Sequence, residues 1–257
     1  MKFERSWTGN WDNAFHGLRH PMESYAKSDS VFGIADEYDW AYDYAGEVAA
    51  EYTDIDEFSD VDRIIENGHI RSGDKDSIEY AYIGPKDMDL AQRMIKAKTP
   101  NDKFLRQIFV SVDITAPLYW WKEMDTYKVA TVANSTSTMH KLATTPITID
   151  CFETDDFDNN IIEQLNDPYL IQIQGIISFL ETLRLKYLET KDKRYWKELI
   201  RWLPESWLQT RTWTANYATL RNIIHWRQGH KLTEWAQFIE WCHTLPYAEE
   251  LLFFDNK

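Results

Sequence analysis

Two amides and a guanidinium recur along one short stretch of the chain: Asn216, Asn222 and Arg227. Leu220, Ile223, Ile224 and Arg227 keep the 3–4 spacing of one helix face, which predicts that Arg227 closes a buried stripe. A guanidinium at the edge of such a stripe is costly to desolvate without a partner. On the sequence alone that partner is either a carboxylate in a structural salt bridge or the anionic part of a ligand. The stretch Arg201–Arg227 is predicted to run as a segment ended by Leu203-Pro204, a short connection, and a helix carrying Asn216, Asn222 and Arg227.

Other residues with chemical potential are fewer. His16, Arg19, His20 and Lys27 make residues 13–30 the most basic part of the N-terminal half, with Ser24, Ser28 and Ser30 beside them. Pro21 blocks one continuous helix. Such a loop offers donors to a phosphate, or it is a solvated surface loop; no phosphate-loop spacing chooses between the two. Cys151 and Cys242 form neither a disulfide framework nor a zinc-ligand spacing, so reduced thiols, a cytoplasmic location and no metal are expected. His225, His230 and His243 do not make a His-x-x-x-His pair.

Composition narrows the partners. A formal net charge of −14 argues against general nucleic-acid binding, which needs a basic face to release counterions. It leaves room for a mononucleotide, which needs only a few local cations. No stretch is apolar enough to span a bilayer, and no membrane association is expected. The length predicts one domain over 1–257. Within it, residues 31–80 pair an acidic run with Tyr38, Trp40, Tyr42, Tyr44 and Tyr52, and are expected to form an insertion that decorates the core.

The elements that must position these residues follow from periodicity and caps. Gly84-Pro85 marks a turn, Asp87 a helix N-cap, and Leu90, Met94 and Ile95 the buried stripe of a helix over 88–97. Ile108, Val110, Val112 and Ile114 alternate with polar or outward residues, which predicts a strand. Ala116-Pro117 opens a helix to Met124. Lys128–Ala133 alternates as a short strand or extended loop, followed by the hydroxyl-rich tract Asn134–Thr138. Residues 150–165 read as an acidic loop. Asp167-Pro168 starts a helix over 168–189 that is apolar on more than one side, as expected of a helix covered in an oligomer. Further helices are predicted over 191–202 and from Thr233 to about Cys242. The many tryptophans after Trp120 suit a Trp-rich core, a subunit interface or a stacking surface.

One order of residues carries a family resemblance: Leu203-Pro204, Leu208-x-Thr210-Arg211, Trp213-Thr214-x-Asn216, Leu220-x-Asn222 and Arg227. This order resembles the C-terminal signature of the flavin-dependent thymidylate synthases. The resemblance covers about 84–245 and leaves out 31–80. It implies an α+β fold, with a small central antiparallel or mixed sheet packed with long C-terminal helices. It also implies a homo-oligomer, a tetramer, and reductive C5 methylation of dUMP or a related pyrimidine nucleotide. FAD is the implied cofactor, with NADPH and methylenetetrahydrofolate as cosubstrates. By position, the resemblance gives Arg227 the catalytic and substrate-binding role and Arg201 a second substrate contact. Glu123 stands where the family carries a substrate-contacting Gln, Ser135 and Ser137 fall near the nucleotide phosphate, and Lys128, Asn216 and Asn222 match cofactor contacts.

The sequence departs from the family in one place that matters. Counted without a gap from Ala116-Pro117, the family's flavin-gripping Arg-His-Arg triplet falls on Thr126, Tyr127 and Lys128, so one cation remains. Thr and Tyr replace neither the charge nor the bidentate donors of a guanidinium. Two other functions therefore stand beside the enzyme. One is a nucleotide-binding homologue that has lost flavin chemistry. The other, outside the family, is a Trp-rich interaction module with an acidic face.

Overall fold

The structure is a computed structural model, and it describes residues 1–35, 69–70, 78–154 and 168–255. In chain order the elements are β1 (Lys2–Gly9), α1 (Trp11–Arg19), β2 (Val31–Ala35), β3 (His69–Ile70), β4 (Ile78–Tyr82) and α2 (Pro85–Ala97). There follow β5 (Phe109–Pro117), α3 (Leu118–Met124), β6 (Val132–Ser135), α4 (Thr138–Lys141), α5 (Pro168–Thr190) and α6 (Lys193–Arg201). The chain continues through β7 (Leu208–Asn216), α7 (Tyr217–Arg227), α8 (Thr233–His243) and a π-helical turn, Ala248–Leu252. A four-stranded sheet has the order β1-β5-β7-β6, and a three-stranded sheet the order β2-β4-β3. This is the α+β class expected.

The strongest periodic signals form the predicted elements. In β5, Val110, Val112, Ile114 and Ala116 are buried and alternate with less buried neighbours. Helices α3, α5, α6 and α8 lie within two residues of their predicted ranges. Other predictions are corrected. Residues 13–30 are not one loop, since α1 runs through Arg19 and Pro21 sits in a 3-10 turn, His20–Met22. Strand β1 was not foreseen. Of the short strand or extended loop expected over 128–133, residues 128–131 are not strand, and a strand forms at Val132–Ser135. Helix α2 starts at Pro85 with Gly84 as its N-cap, so Asp87 is a first-turn residue and not the cap. Pro fits that first position because its missing N–H would have had no helical partner. The ends of the 31–80 segment pair antiparallel, Val31 opposite Tyr82 and Ala35 opposite Ile78. Its acidic centre, like most of the acidic 150–165 run, lies outside the described residues.

The chain divides into two compact units. The first comprises Met1–Glu4, Val112–Trp213 and His230–Gln237, and the second Arg5–Ser111, Thr214–Gly229 and Phe238–Lys257. In the first unit, Leu142, Ile147, Phe152, Leu180 and Leu199 form a buried cluster. Trp120, Trp121 and Trp235 form an aromatic core, with ring centroids 4.9 Å apart for Trp120–Trp121 and 5.0 Å for Trp120–Trp235.

In the second unit, Asp87 and Arg19 form a buried ion pair, Oδ1 to Nε 2.5 Å. Ser28 and Ser30 each donate to Asp87 Oδ2 at 2.6 Å. Asp29 accepts the backbone N–H groups of Lys86 and Asp87 at 2.8 and 3.0 Å. Asp29 thus meets two orphan donors of α2, and Asp87 places a second carboxylate in its positive first turn. Tyr247 clasps the same unit, accepting from Ile83 N–H and donating to Ala81 O.

Helix α5 is fastened in the first unit by Glu181 and Arg184. Arg184 donates through Nε to Glu181 Oε2 (2.7 Å) and through Nη2 to Oε1 (2.5 Å), and Ile147 N–H also reaches Oε2. The Arg184 hydrogen bonds, helped by Ile147 and opposed by desolvation, hold the Glu181 carboxyl below its usual range. As pH falls, the unfolded chain takes up this proton first. The pair therefore stabilises the fold above about pH 4.3, the ordinary glutamate value, and that stability is lost as pH falls through the lower folded value. Urea midpoints of wild type and Glu181→Gln should differ most near neutrality and converge in acid. A gap unchanged from neutral to strongly acidic pH would rule this account out.

Candidate functional site

After Leu203-Pro204 the signature runs along β7, where its threonines have a structural use. Thr210 Oγ1 meets Thr115 Oγ1 at 2.7 Å, Thr212 donates to Asp113, and Thr214 donates to Ser111 Oγ at 3.2 Å. As the β7 number rises by two, the β5 number falls by two, which is the register of antiparallel neighbours. The opposite positions, Gln209, Trp213 and Ala215, are buried. Gln209 tolerates burial because Nε2 donates to Thr136 O at 2.9 Å and Oε1 accepts from Arg211 Nε at 3.0 Å. Arg211 lies over the Trp121 ring, 4.3 Å from its centroid, and donates to Asp125 Oδ1 at 2.8 Å.

At Asn216, strand becomes helix. The expected helix carrying both asparagines is corrected here: Asn216 is extended and caps α7, its Oδ1 accepting from Thr219 N–H at 2.9 Å. Tyr217 N–H meanwhile donates to Ile108 O at 3.0 Å. Leu220, Ile223 and Ile224 are fully buried, and Arg227 is half-buried at the far end of their stripe, as the spacing predicts. Asn222 is exposed, about 200° around the helix from Leu220 at 100° per residue. Asn216 and Asn222 are thus not paired on one face of α7. Arg221 points to the chain's other end, where Nη1 donates to the carbonyls of Leu251, Leu252 and Phe254 at 2.6–2.9 Å.

The remaining expected site residues lie in the first unit. Glu123, on α3, is half-buried and accepts from Trp235 Nε1 at 3.0 Å. His230 Nε2 stands 3.7 Å from the same Oε2, and its Nδ1 accepts from Leu232 N–H at 3.2 Å. Beside them Tyr119 donates to the buried Glu234. The carboxylate is thus held by an indole N–H and faced by an imidazole nitrogen. The sequence reading missed His230, Glu234 and Trp235 as site candidates. Their partners lie more than 100 residues away in the chain, and no local spacing announces them.

Thr126, Tyr127 and Lys128 form the turn after α3. Thr126 Oγ1 donates to Glu123 O at 2.7 Å, and the Tyr127 N–H donates to Met124 O at 3.0 Å. Lys128 is exposed. Ser135 ends β6 and is exposed, while Ser137 O accepts the Lys141 N–H that opens α4. Arg201, at the end of α6, forms a surface ion pair with Glu198, a weak bond that a better anion can displace. Arg227, Asn216 and Asn222 belong to the second unit, and Glu123, Lys128, Ser135, Ser137 and Arg201 to the first. Among the described residues, no group of three or more His, Cys, Asp or Glu has metal-binding geometry. No helix there is long and apolar enough to cross a membrane.

The cap at Asn216 sets where α7 begins, and through it the height of Arg227. Asn216→Ala should cost about 1 kcal/mol, read as a lower urea midpoint, and Asn216→Ser should recover most of it. Equal midpoints for wild type and the Ala variant would show that the cap is not what holds this corner.

No family model and no curated protein matches the sequence. Solved structures do match. The flavin-dependent thymidylate synthase ThyX from Helicobacter pylori, complexed with FAD and dUMP, superposes with a TM-score of 0.59 at 15% identity, over 99% of each chain. A second structure of ThyX from Helicobacter pylori with FAD and dUMP gives the same TM-score and identity over 100% of this chain and 99% of that one. A likeness that runs the whole length of both chains, at an identity this low, is a likeness of architecture. The chain has the fold of the flavin-dependent thymidylate synthases.

Proposed function

We propose that this protein is a flavin-dependent thymidylate synthase-like protein that takes a pyrimidine mononucleotide, dUMP or a close relative, for reductive methylation at C5. The observation that carries the proposal is the coincidence of two independent features. The fold is matched end to end, and the residue order Leu-x-Thr-Arg, Trp-Thr-x-Asn, Leu-x-Asn, Arg lies on one continuous strand-to-helix unit, β7–α7.

In this reading Arg227 donates to the pyrimidine carbonyl edge and stabilises negative charge there as the ring is activated. Its position at the end of a buried stripe restrains it before the ligand arrives. Arg201 exchanges its surface partner Glu198 for the nucleotide, and Ser135 and Ser137 hydrogen-bond the phosphate. Glu123 would meet the substrate where a neutral amide is usual, with His230 Nε2 3.7 Å from its carboxylate. FAD, with NADPH and methylenetetrahydrofolate, would supply the hydride and the one-carbon unit.

The residues assigned to the flavin fit it poorly. Lys128 brings one positive charge, Thr126 closes a helix end, Asn216 has its carbonyl oxygen in a cap, and Asn222 is on a solvent face. That mismatch favours a second reading, a nucleotide-binding homologue without flavin chemistry. The absorbance of purified protein, with and without added FAD, distinguishes the two.

For the nucleotide itself, dUMP should raise the melting temperature of the wild-type protein. Arg227→Ala should abolish that rise while leaving the ligand-free melting temperature within a few degrees. A rise of equal size in the variant would remove Arg227 from the site. Helix α5 leaves Ile171, Ile176, Phe179 and Leu185 exposed, more apolar surface than a solitary chain ordinarily shows on one helix. We expect a homo-oligomer, a tetramer, in sedimentation, and a strictly monomeric protein would refute this.

A further inference from the structure

The sequence holds one His-x-x-x-His pair, His16 and His20, and both side chains are exposed at the end of α1. Residues four apart on a helix lie one above the other. His20 keeps a helical backbone, φ −53° and ψ −46°, so the pairing carries across the helix end. The two ring centroids are 4.9 Å apart, with the planes at 71°. Imidazole nitrogens bind late transition metals at about 2.0–2.1 Å, which puts each ring centroid about 3.2 Å from the ion and the centroids of two neighbouring ligands about 4.5–5.2 Å apart. The His16–His20 spacing falls in that range.

Tyr25 restrains both rings. It comes from the 3-10 turn Tyr25–Lys27, stacks on His16 with centroids 4.7 Å apart and planes at 15°, and is hydrogen-bonded through Oη to His20 Nδ1. Metal-ligating histidines are oriented in this way, by an outer partner on the nitrogen that does not meet the metal. With Nδ1–H donated to the phenol oxygen, His20 Nε2 keeps its lone pair. Packing alone does not account for the trio. His16, His20 and Tyr25 are all exposed, and rings left in water gain little from burial. The neighbouring Arg19 guanidinium is buried and neutralised by Asp87, so it does not repel a cation here. Asp12 lies one turn earlier on the same face and adds negative charge nearby.

We propose that His16 and His20 form a two-point site for a divalent late transition-metal ion, with Cu²⁺ preferred over Zn²⁺ and water in the remaining positions. No third His, Cys, Asp or Glu among the described residues completes a metal-binding group there. Two imidazoles without thiolate or carboxylate suit these ions and not Mg²⁺ or Ca²⁺. Once bound, the ion clips the end of α1 to the 3-10 turn that His20 opens. The site is separate from the pyrimidine mononucleotide reading and does not require Arg227.

Calorimetric titration of the untagged full chain with CuCl₂, ZnCl₂ and MgCl₂, in a buffer that does not bind metals, tests it. One equivalent of Cu²⁺ should bind more tightly than Zn²⁺, and Mg²⁺ should not compete. The EPR spectrum of the copper-loaded protein should carry the splitting of two imidazole nitrogens. His16→Ala and His20→Ala should each lose about tenfold or more in Cu²⁺ affinity, because a single arm lacks the benefit of linkage. Tyr25→Phe keeps the stacked ring, removes the hydroxyl, and should weaken Cu²⁺ binding about tenfold. The three side chains are exposed, so metal-free melting temperatures should stay within a few degrees of wild type. Cu²⁺ should raise the melting temperature of the wild type and not that of His16→Ala. Absence of one-equivalent Cu²⁺ binding, a spectrum with one nitrogen, or undiminished affinity in any of the three variants each overturns the proposal. Titrating dUMP in parallel separates the two sites. A dUMP response that survives His16→Ala but not Arg227→Ala leaves the pyrimidine reading intact whatever the metal does.

Discussion

One buried carboxylate organises the second unit. Asp87 is fully enclosed, and its oxygens are satisfied by a guanidinium from α1 and two serine hydroxyls from the loop between α1 and β2. Removing one partner of such a pair leaves an uncompensated charge in a low-dielectric place and costs about 3–5 kcal/mol. The segment around Arg19–Ser30 therefore has one arrangement on α2. The serines that on sequence looked available to a phosphate are consumed by this network.

The first unit depends on a different device, aromatic packing in which the polar edges of Trp121 and Trp235 are engaged. Trp121 Nε1 donates to Gln209 O, Trp235 Nε1 to Glu123, and the Arg211 guanidinium covers the outer face of Trp121. Large rings bury much apolar area, but their N–H groups must find acceptors. Those acceptors come from β7 and α3, the elements that carry signature residues. Thr210, Arg211 and Thr214 are thus explained first by the β5–β7 ladder and the tryptophan core. Arg227 is half-buried at the end of the stripe of Leu220, Ile223 and Ile224.

Local signals and their failures follow a single rule. Helices α5, α7 and α8 and strand β5 were legible because apolar residues repeat at helix or strand period over many residues. Strand β7 was read as a connection, because its buried positions include a glutamine and its outward ones are threonines. Only the partners Thr136 and Arg211 make Gln209 an inward residue. Asp87 had the local look of an N-cap, yet its ion-pair partner lies 68 residues earlier, and that long-range pairing set its role.

What the chain's order of residues determined alone was the family of fold, through the signature on β7–α7, and the place of Arg227 on its helix, because both are properties of spacing along one element. Tertiary structure decided which polar groups are already taken. It bound Ser28, Ser30 and Asn216 into the protein and set His230 and Trp235 against Glu123. The reason is physical: periodicity acts over neighbours in sequence, whereas desolvation and hydrogen bonding act on neighbours in space, and these meet only after the chain has closed on itself.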